Sequence, residues 1–218
     1  MTRIAAPQLP DLSSAQPLED AVERCVREVE DLTACAFADE TLTGTVSRIE
    51  VRACRFDRCR FSGCRFDRAG VTDVVFCGCD FSNADLSRCS LLRCRFEDCK
   101  GVGLLLVRAV LRSVTFVRCR LDYANFSEAS LHGVRMEQAA LGESVWLSAK
   151  LDGAAWDSCR LDGANLSGTL LRGMDLTTDS LEGLLLGGEE LRGAVVTPYQ
   201  AAGFARLLGL TVKWEKRE

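Results

Sequence analysis

A large apolar residue recurs at every fifth position through most of this chain. There are 31 such positions from Val46 to Val196, and 30 of them are apolar, the exception being Gly101. Two positions before most of them stands a small residue, such as Cys54 or Ala84. A period of five matches neither the 3.6-residue period of a helix nor the two-residue period of a strand. The pattern therefore indicates a repeat architecture.

The five-residue period restricts the path of the backbone. A residue that recurs every five positions can keep facing one core only if the chain turns through about a right angle in each unit, so that four units close a square coil. Successive coils would then stack by parallel strand pairing at about 4.8 Å. One unit buries too little apolar surface to fold alone, and stability has to come from stacking.

Several units also resemble a known repeat. Ala84-Asp85-Leu86-Ser87-Arg88, Ala124-Asn125-Phe126-Ser127-Glu128 and Ala164-Asn165-Leu166-Ser167-Gly168 follow the pattern A(D/N)LXX of the pentapeptide repeat family. The resemblance covers residues 32–196 and implies an all-β solenoid, the right-handed quadrilateral β-helix. Residues 1–31 would then be an N-terminal lead-in or cap, and residues 197–218 a C-terminal helix and strand for dimerisation or capping.

The N-terminal part of the chain departs from the five-residue period in two places, one before the repeats and one within them. Leu18, Val22 and Cys25 follow Pro17 at helical spacing and predict a short helix, with an extended lead-in strand as the alternative. Between Leu42 and Val46 the step is four residues, which predicts a bulge or short loop over residues 43–45.

The C-terminal segment changes period. Thr197-Pro198-Tyr199-Gln200 predicts a capping box with proline at the first helical position, and Gly209 ends the predicted helix. Leu210, Val212 and Trp214 then alternate with other residues, as in a short strand.

The positions of the twelve cysteines favour a role in core packing over disulfide bonds or metal binding. Most of them occupy the small inward position, namely Cys35, Cys54, Cys59, Cys64, Cys79, Cys89, Cys94, Cys99, Cys119 and Cys159. In-register side chains of a parallel stack point the same way, so buried thiols are favoured over disulfides or a zinc site. Cys77 is expected to be the most exposed thiol.

The sequence offers no combination of residues that suggests catalysis. The one histidine, His132, follows a core leucine and should face solvent, and no serine, histidine and acid combination or phosphate loop is present. We therefore expect a protein that is not an enzyme and that needs no cofactor or metal. Without a long apolar run or a signal peptide, it should be cytoplasmic and independent of membranes.

The C-terminal segment narrows the resemblance within the family. Residues 191–205, followed by Leu207-Leu208-Gly209-Leu210-Thr211-Val212-Lys213, are similar to the C-terminus of the quinolone-resistance proteins of the Qnr and MfpA type, above all the loop-poor Gram-positive members. This resemblance implies a homodimer that binds type II topoisomerases, chiefly DNA gyrase, in place of DNA and protects them from poisons. The dimer interface would consist of Phe204, Leu208, Leu210, Val212 and Trp214.

Charge decides whether such mimicry of DNA is physically reasonable. Duplex DNA carries about one negative charge per 1.7 Å, so a full mimic of this length would need on the order of twenty per subunit. The chain has a net charge of −4, and residues 46–100 carry 11 basic and 8 acidic residues. The middle coils are therefore mildly basic, which weakens the mimicry hypothesis.

A twenty-residue coil sorts the charges into columns. One predicted acidic column holds Asp57, Glu97, Glu137 and Asp157, and a neighbouring face holds Asp122, Asp162 and Glu182. Predicted basic columns hold Arg68, Arg88 and Arg108, and Arg60, Lys100, Arg120 and Arg160. The acidic columns are the candidate partner-binding face, and direct binding of nucleic acid through the arginines is not expected.

A second function class stays open beside DNA mimicry. The chain could be a structural or scaffolding repeat protein whose partner is another, unidentified protein. Its contact surface could be the leucine-rich segment from Leu104 to Val107, next to Gly101, where the core position lacks a side chain.

Overall fold

The computed structural model describes residues 4–14 and 17–213, and it is a parallel β-solenoid. The strands are β1 (Ser13–Ser14), β2 (Leu32–Thr33), β3 (Cys35–Ala38), β4 (Thr45–Ser47), β5 (Glu50–Arg52), β6 (Arg55–Asp57), β7 (Arg65–Asp67), β8 (Gly70–Cys77), β9 (Ser90–Glu97), β10 (Val110–Arg112), β11 (Thr115–Val117), β12 (Ser130–His132), β13 (Arg135–Glu137), β14 (Lys150–Asp152) and β15 (Ala155–Asp157). The helices are α1 (Leu18–Glu28), α2 (Pro198–Phe204) and the 3₁₀ helix η1 (Ala205–Leu208). The predicted fold class, including both short helices, is confirmed.

The coils stack in register at a separation of twenty residues. Val71 of β8 pairs with Leu91 of β9, and Leu111 of β10 pairs with Leu131 of β12, all in parallel. Isolated bridges continue the same register on the sides without regular strands, as between Lys100 and Arg120. A residue therefore lies directly above the residue twenty positions earlier, on the same side of the solenoid.

The corners of the coil have a common backbone conformation. Two positions after each core residue, from Arg48 to Gly173 without interruption, the residue has φ between +50° and +77°. This left-handed conformation turns the chain, and it directs the N–H of Arg88 to the carbonyl of Val107 in the next coil. The backbone hydrogen bonds between coils offset the cost of placing non-glycine residues there.

The core is filled by stacked side chains of one kind. Phe56, Phe76, Phe96 and Phe116 form a continuous stack, with ring centroids 4.7–5.1 Å apart and interplanar angles of 13–17°. All four rings are at most 6% exposed. Parallel in-register pairing places identical residues face to face, so the repeat produces the stack directly.

The four-residue step near the N-terminus is a shortened corner. Phe37 pairs with Phe56, nineteen residues later, whereas Val46 pairs with Phe66, twenty residues later. Gly44, with φ of +81°, is both the corner residue of one unit and the small residue of the next. The expected bulge or loop is therefore absent from this described corner, because glycine fills both roles without a Cβ.

The irregularity at Gly101 is compensated inside the core. A Cβ at Gly101 would lie 2.9 Å from Cδ2 of Leu121 and 3.4 Å from Cδ2 of Leu104. Leu104 occupies a small-residue position and is 3% exposed. A large side chain next to the glycine thus fills the space that the glycine leaves, and the site is packed.

Each end of the described solenoid carries a helix. Helix α1 directs Leu18, Val22 and Cys25 into the core, and Val29 ends it in a left-handed conformation. Helix α2 begins with the predicted capping box, in which Gln200 N–H donates to Oγ1 of Thr197. The predicted strand after the helix is wrong for residues 210–213, which have no regular structure and pair with none of the strands of the described residues.

The thiols are packing groups. None of the twelve cysteines, all within the described residues, forms a disulfide, and ten of them are buried. The Sγ of Cys99 donates to the carbonyl of Phe76, and the Sγ of Cys119 to that of Phe96. Burial raises the pKa of Cys54 to about 11 and that of Cys94 to about 12. Cys77 and Cys35 are the two partly exposed cysteines.

Candidate protein-interaction surface

The solenoid presents four faces, each defined by its core column. Every unit contributes one outward residue before the core residue and two after it. Face 1 has Val51 and Leu91 in its core column, face 2 has Phe56 and Phe96, face 3 has Phe61 and Phe81, and face 4 has Phe66 and Leu86.

The first predicted acidic column lies on face 2. The register runs from Asp57 through Cys77, Glu97, Val117 and Glu137 to Asp157. The four carboxylates therefore share one line, with two uncharged residues between them.

Arginines on the same strands, and Arg118 of the next coil, neutralise much of this column. Arg55 donates to Asp57 through two nitrogens, at 2.8 and 2.7 Å. Glu97 accepts from Arg95 at 3.1 Å and from Arg118 at 2.7 Å. These two hydrogen bonds hold the pKa of Glu97 below its usual value. At its N-terminal end the column is thus a row of ion pairs rather than a negative stripe.

The C-terminal end of the column is less neutralised. Glu137 lies 3.7 Å from Arg135, and Asp157 has no basic partner among the described residues. The Asp157 carboxylate accepts instead from Oγ of Ser158 at 3.1 Å and from Oγ1 of Thr178 at 3.2 Å. Negative charge therefore increases toward the C-terminal coils.

The second acidic column lies on face 3. Asp162 accepts from Oγ of Ser180 at 2.5 Å and from the N–H of Glu182 at 3.1 Å. Asp122 lies 3.4 Å from Nη2 of Arg160, the one ion pair of this column in the described chain. Asp162 and Glu182 have no basic partner within ion-pair distance among the described residues.

The predicted basic columns are also aligned. Arg60, Lys100, Arg120 and Arg160 share a column on face 3 with Asp80 and Ala140. Arg68, Arg88 and Arg108 lie at the corner that ends face 4. Acidic and basic residues therefore alternate around the solenoid.

The proposed dimer residues differ in their surroundings. Phe204 is partly buried against the core, whereas Leu210 and Val212 are 58% and 40% exposed. The side chain of Leu208 and the whole of Trp214 lie outside the described residues. Tyr199, which the sequence interpretation did not include, is 77% exposed.

Sequence reasoning also missed Asp179, a charged residue in a small inward position. It is 7% exposed, its Oδ1 accepts from the N–H of Cys159 at 2.7 Å, and its Oδ2 has no hydrogen-bond partner among the described residues. Burial raises the pKa of Asp179 to about 6. Gln200 of α2 donates to its backbone carbonyl at 2.9 Å, which fixes the helix over this coil.

The leucine-rich segment exposes little apolar surface. Leu104 and Leu106 are buried, and Leu105 is 36% exposed. The alternative contact surface is thus reduced to Leu105 and the partly exposed Val107.

Residues 4–14 and 17–213 contain neither a cluster of metal-ligating side chains nor a helix able to span a membrane. In that part of the chain no three histidine, cysteine, aspartate or glutamate side chains are grouped as metal ligands would be. None of its helices has the length and apolar character needed to cross a bilayer.

Comparisons with protein families identify the repeat. A family model described as a pentapeptide repeat region matches residues 49–126 and, in an overlapping alignment, residues 69–146. A second model, of pentapeptide repeats in eight copies, matches residues 148–177. Together these matches cover more than half of the 218 residues.

The chain is also similar to solved structures. Full-length QnrB1, a plasmid-mediated fluoroquinolone resistance protein, is 25% identical, with 83% of this chain and 91% of that chain covered and a TM-score of 0.42. HetL from Nostoc sp. strain PCC 7120, involved in the regulation of heterocyst differentiation, is 21% identical, with 76% and 89% covered and a TM-score of 0.30. No curated protein sequence matches the chain. At these TM-scores neither structure assigns a partner to this protein.

Proposed function

The chain belongs to the pentapeptide repeat family, and from this premise we propose that it is a DNA-mimicking, cytoplasmic binding protein. Its partner would be a type II topoisomerase, DNA gyrase or topoisomerase IV, which it would protect from quinolones or from a natural topoisomerase poison. The proposal draws first on the similarity of residues 191–213 to the C-terminus of the quinolone-resistance proteins.

The unpaired acids of the C-terminal coils are the observation that carries the proposal. Asp157 on face 2 and Asp162 and Glu182 on face 3 have no basic partner among the described residues. They lie on adjacent faces of neighbouring coils, where they would present several negative charges within about 15 Å. Unscreened carboxylates at this spacing are what a DNA-binding groove would recognise.

Dimerisation through the C-terminus would enlarge this acidic region. Tyr199, Leu210 and Val212 expose apolar surface beside the last coil. If two copies meet there, their acidic C-terminal coils adjoin, and the combined negative region becomes about twice as long. The mimic would then be the dimer, with the interface at its centre.

One observation favours the alternative, a scaffold for another protein partner. Arg55 and Arg95 neutralise Asp57 and Glu97, so the N-terminal half of the acidic column offers little net charge. Mixed-charge surfaces of this kind are common at protein–protein contacts and poor imitations of phosphate backbones.

A supercoiling assay with purified DNA gyrase, with and without a quinolone, tests the proposal. The wild-type protein should inhibit supercoiling or restore it in the presence of drug. The variant Asp157→Asn, Asp162→Asn, Glu182→Gln should lose most of this effect, because it keeps the hydrogen-bond acceptors and removes three charges.

A matched control removes three exposed acids at the other end, Glu19→Gln, Asp20→Asn and Glu23→Gln on α1. It should behave like the wild type. If both variants lose the effect equally, the C-terminal acids are not the contact. If the wild type neither changes supercoiling nor restores it in the presence of drug, DNA mimicry is wrong, and cross-linking to a partner other than a topoisomerase would support the scaffold.

A further inference from the structure

Four arginines form a straight ladder along the corner that ends face 4. Strand β4 pairs with β7 so that Arg48 lies over Arg68, and the bridges from Arg65 to Asp85 and from Asp85 to Leu105 place Arg88 and Arg108 next in line. All four side chains are exposed. We call Arg48, Arg68, Arg88 and Arg108 the arginine ladder, with a step of about 4.8 Å.

The ladder has unusually few acidic partners. Arg48, Arg68 and Arg88 have none within ion-pair distance among the described residues, whereas Arg108 pairs with Glu128 at 2.9 Å. The arginines of face 2 are by contrast paired along their own strands, as Arg55 is with Asp57.

The surrounding surface has a net positive charge. In the four units of face 4 that contain the ladder, 45–48, 65–68, 85–88 and 105–108, there are five basic and two acidic residues, although the whole chain has a net charge of −4. Beyond Glu128 the corner continues as Ser148 and Gly168, without charge. The basic surface is therefore limited to four coils.

A groove of about 340 Å³ runs beside the ladder. It is lined by Arg65, Phe66, Asp67, Asp85, Ser87, Arg88, Val107 and Arg108. Phe66 is partly exposed, unlike the buried rings of Phe61, Phe76 and Phe81, and with Val107 it supplies apolar surface to the groove. A row of cations beside an apolar strip fits a ligand that is acidic on one side and apolar on the other.

We propose that the arginine ladder and its groove bind an acidic α-helix of a partner protein, with a carboxylate at each successive turn. A helix rises about 5.4 Å per turn, so three turns extend about 16 Å, against about 14 Å for three steps of the ladder. The residues on one side of an extended strand repeat at about 6.6 Å and lose register after one step. Arginine side chains are long enough to absorb the smaller mismatch.

The acids within the groove favour a protein over a nucleic acid. Asp67 and Asp85 line the groove together with Arg88 and Arg108, and there they would repel the phosphates of a nucleic acid. A helix can direct a lysine or an uncharged residue toward them while its carboxylates meet the arginines. This surface is separate from the acidic faces 2 and 3, so the inference goes beyond the proposed function.

A labelled synthetic helix of 21 residues, rich in alanine and with glutamate once per turn on one side, is a suitable probe. We expect the full-length protein to bind it with a dissociation constant below about 1 mM in 50 mM salt, and several-fold more weakly in 200 mM salt. A peptide of the same composition with its glutamates spread around the helix should bind at least about fivefold more weakly.

Two triple variants locate the site. Arg48→Gln, Arg68→Gln, Arg88→Gln should weaken binding about tenfold, since each exposed charge contact contributes little alone. Arg60→Gln, Arg112→Gln, Arg120→Gln removes three equally unpaired arginines on faces 1 and 3 and should stay within about twofold of the wild type. Thermal melts establish that both variants are folded.

Three outcomes of the peptide measurements would overturn the proposal. They are absence of measurable binding up to 1 mM peptide, equal losses in the two triple variants, and equal affinity for the two peptides. Tighter, ladder-dependent binding of a 20-base-pair DNA duplex would also overturn it, and would assign the ladder to nucleic acid.

Discussion

Leu104 is large in a column whose residues in the neighbouring coils are small, and Gly101, three positions earlier, has no side chain in a column of otherwise large apolar residues. Leu104 stands where neighbouring coils place Ala84 and Ala124, and its Cδ2 lies 3.4 Å from the position that a Cβ of Gly101 would occupy. The two departures from the repeat, three residues apart, therefore depend on each other.

A double-mutant cycle tests this dependence. Leu104→Ala should cost about 2–5 kcal/mol of unfolding free energy by leaving a cavity, and Gly101→Leu about 1–3 kcal/mol by overpacking against Leu121. The double variant restores the regular repeat and should be at least about 1 kcal/mol more stable than the sum of the single effects implies.

The control for the cycle combines Gly101→Leu with Leu166→Ala, a core substitution three coils away. These effects should add, because the two sites share no contacts. Additivity in both cycles, measured by chemical denaturation, would show that the glycine and Leu104 are independent.

Asp179 should make stability depend on pH with an unusual sign. Its pKa is about 6 in the folded protein, against an ordinary value of 3.8, so between these values the folded state binds a proton that the unfolded state does not. The unfolding free energy therefore falls as pH rises from about 4 to about 6, by up to about 3 kcal/mol, and the penalty persists above pH 6.

The variant Asp179→Asn should remove this penalty. It keeps an acceptor for the N–H of Cys159 and should be more stable than the wild type at pH 7, with the difference shrinking toward pH 4. Asp175→Asn is the control, because a hydrogen bond from Thr177 lowers the pKa of that exposed carboxyl and its loss should not stabilise the protein. Equal pH slopes for the wild type and Asp179→Asn in thermal melts would contradict the assignment.

The proposed dimer should depend on the exposed C-terminal residues. Leu210→Asp with Val212→Asp places two charges in the expected apolar interface and should raise the dimer dissociation constant at least about a hundredfold. Val29→Asp with Leu170→Asp alters two exposed apolar residues elsewhere and should leave it unchanged. Sedimentation equilibrium measures both, and a wild-type monomer at about 50 µM would refute the dimer.

The cysteines should divide sharply by reactivity. At pH 8 a disulfide reagent should modify Cys77 and Cys35 within minutes, because these two are partly exposed. The buried thiols should react about a thousandfold more slowly, because the reagent cannot reach them without an opening of the core, and at Cys94 a pKa of about 12 also leaves little thiolate. All twelve should react in guanidinium chloride, and Cys77→Ser should abolish one rapid reaction. Rapid native modification of more than two thiols would mean that the core opens readily.

The columns of the surface were predictable because the coils stack in register. Residues twenty or forty positions apart lie in the same column of the solenoid, so spacing alone places Asp57, Glu97 and Glu137 in one line. The ion pairs with Arg55 and Arg95 were missed, although residues i and i+2 of a strand face the same side. Each arginine belongs to the column next to that of its acidic partner, two positions away along the strand, so the charge of a single column does not predict the net charge of the face.

Three local features were predicted less well from the sequence, namely the N-terminal helix, the buried Asp179 and the C-terminal strand. The apolar residues of Leu18–Glu28 have helical spacing, but an isolated helix of this length is marginal in water and depends on packing against the first coil, so an extended lead-in strand stayed open as the alternative. Asp179 was overlooked although its place two residues before Leu181, in a column of small residues, predicts that its carboxylate is buried. The strand expected at Leu210 failed because alternation describes a strand only where a second edge exists.

The twenty-residue register has a consequence for how such a chain can change in length. Each coil contacts the coil before it and the coil after it, so duplication of any whole coil would insert one more layer between two surfaces that already fit. Duplication of one residue would instead rotate every later face by a fraction of a turn and move charged residues into the core. Growth and shrinkage of this molecule are therefore restricted to whole layers, and the four-residue unit at Gly44 is tolerated because a single glycine there serves two units at once.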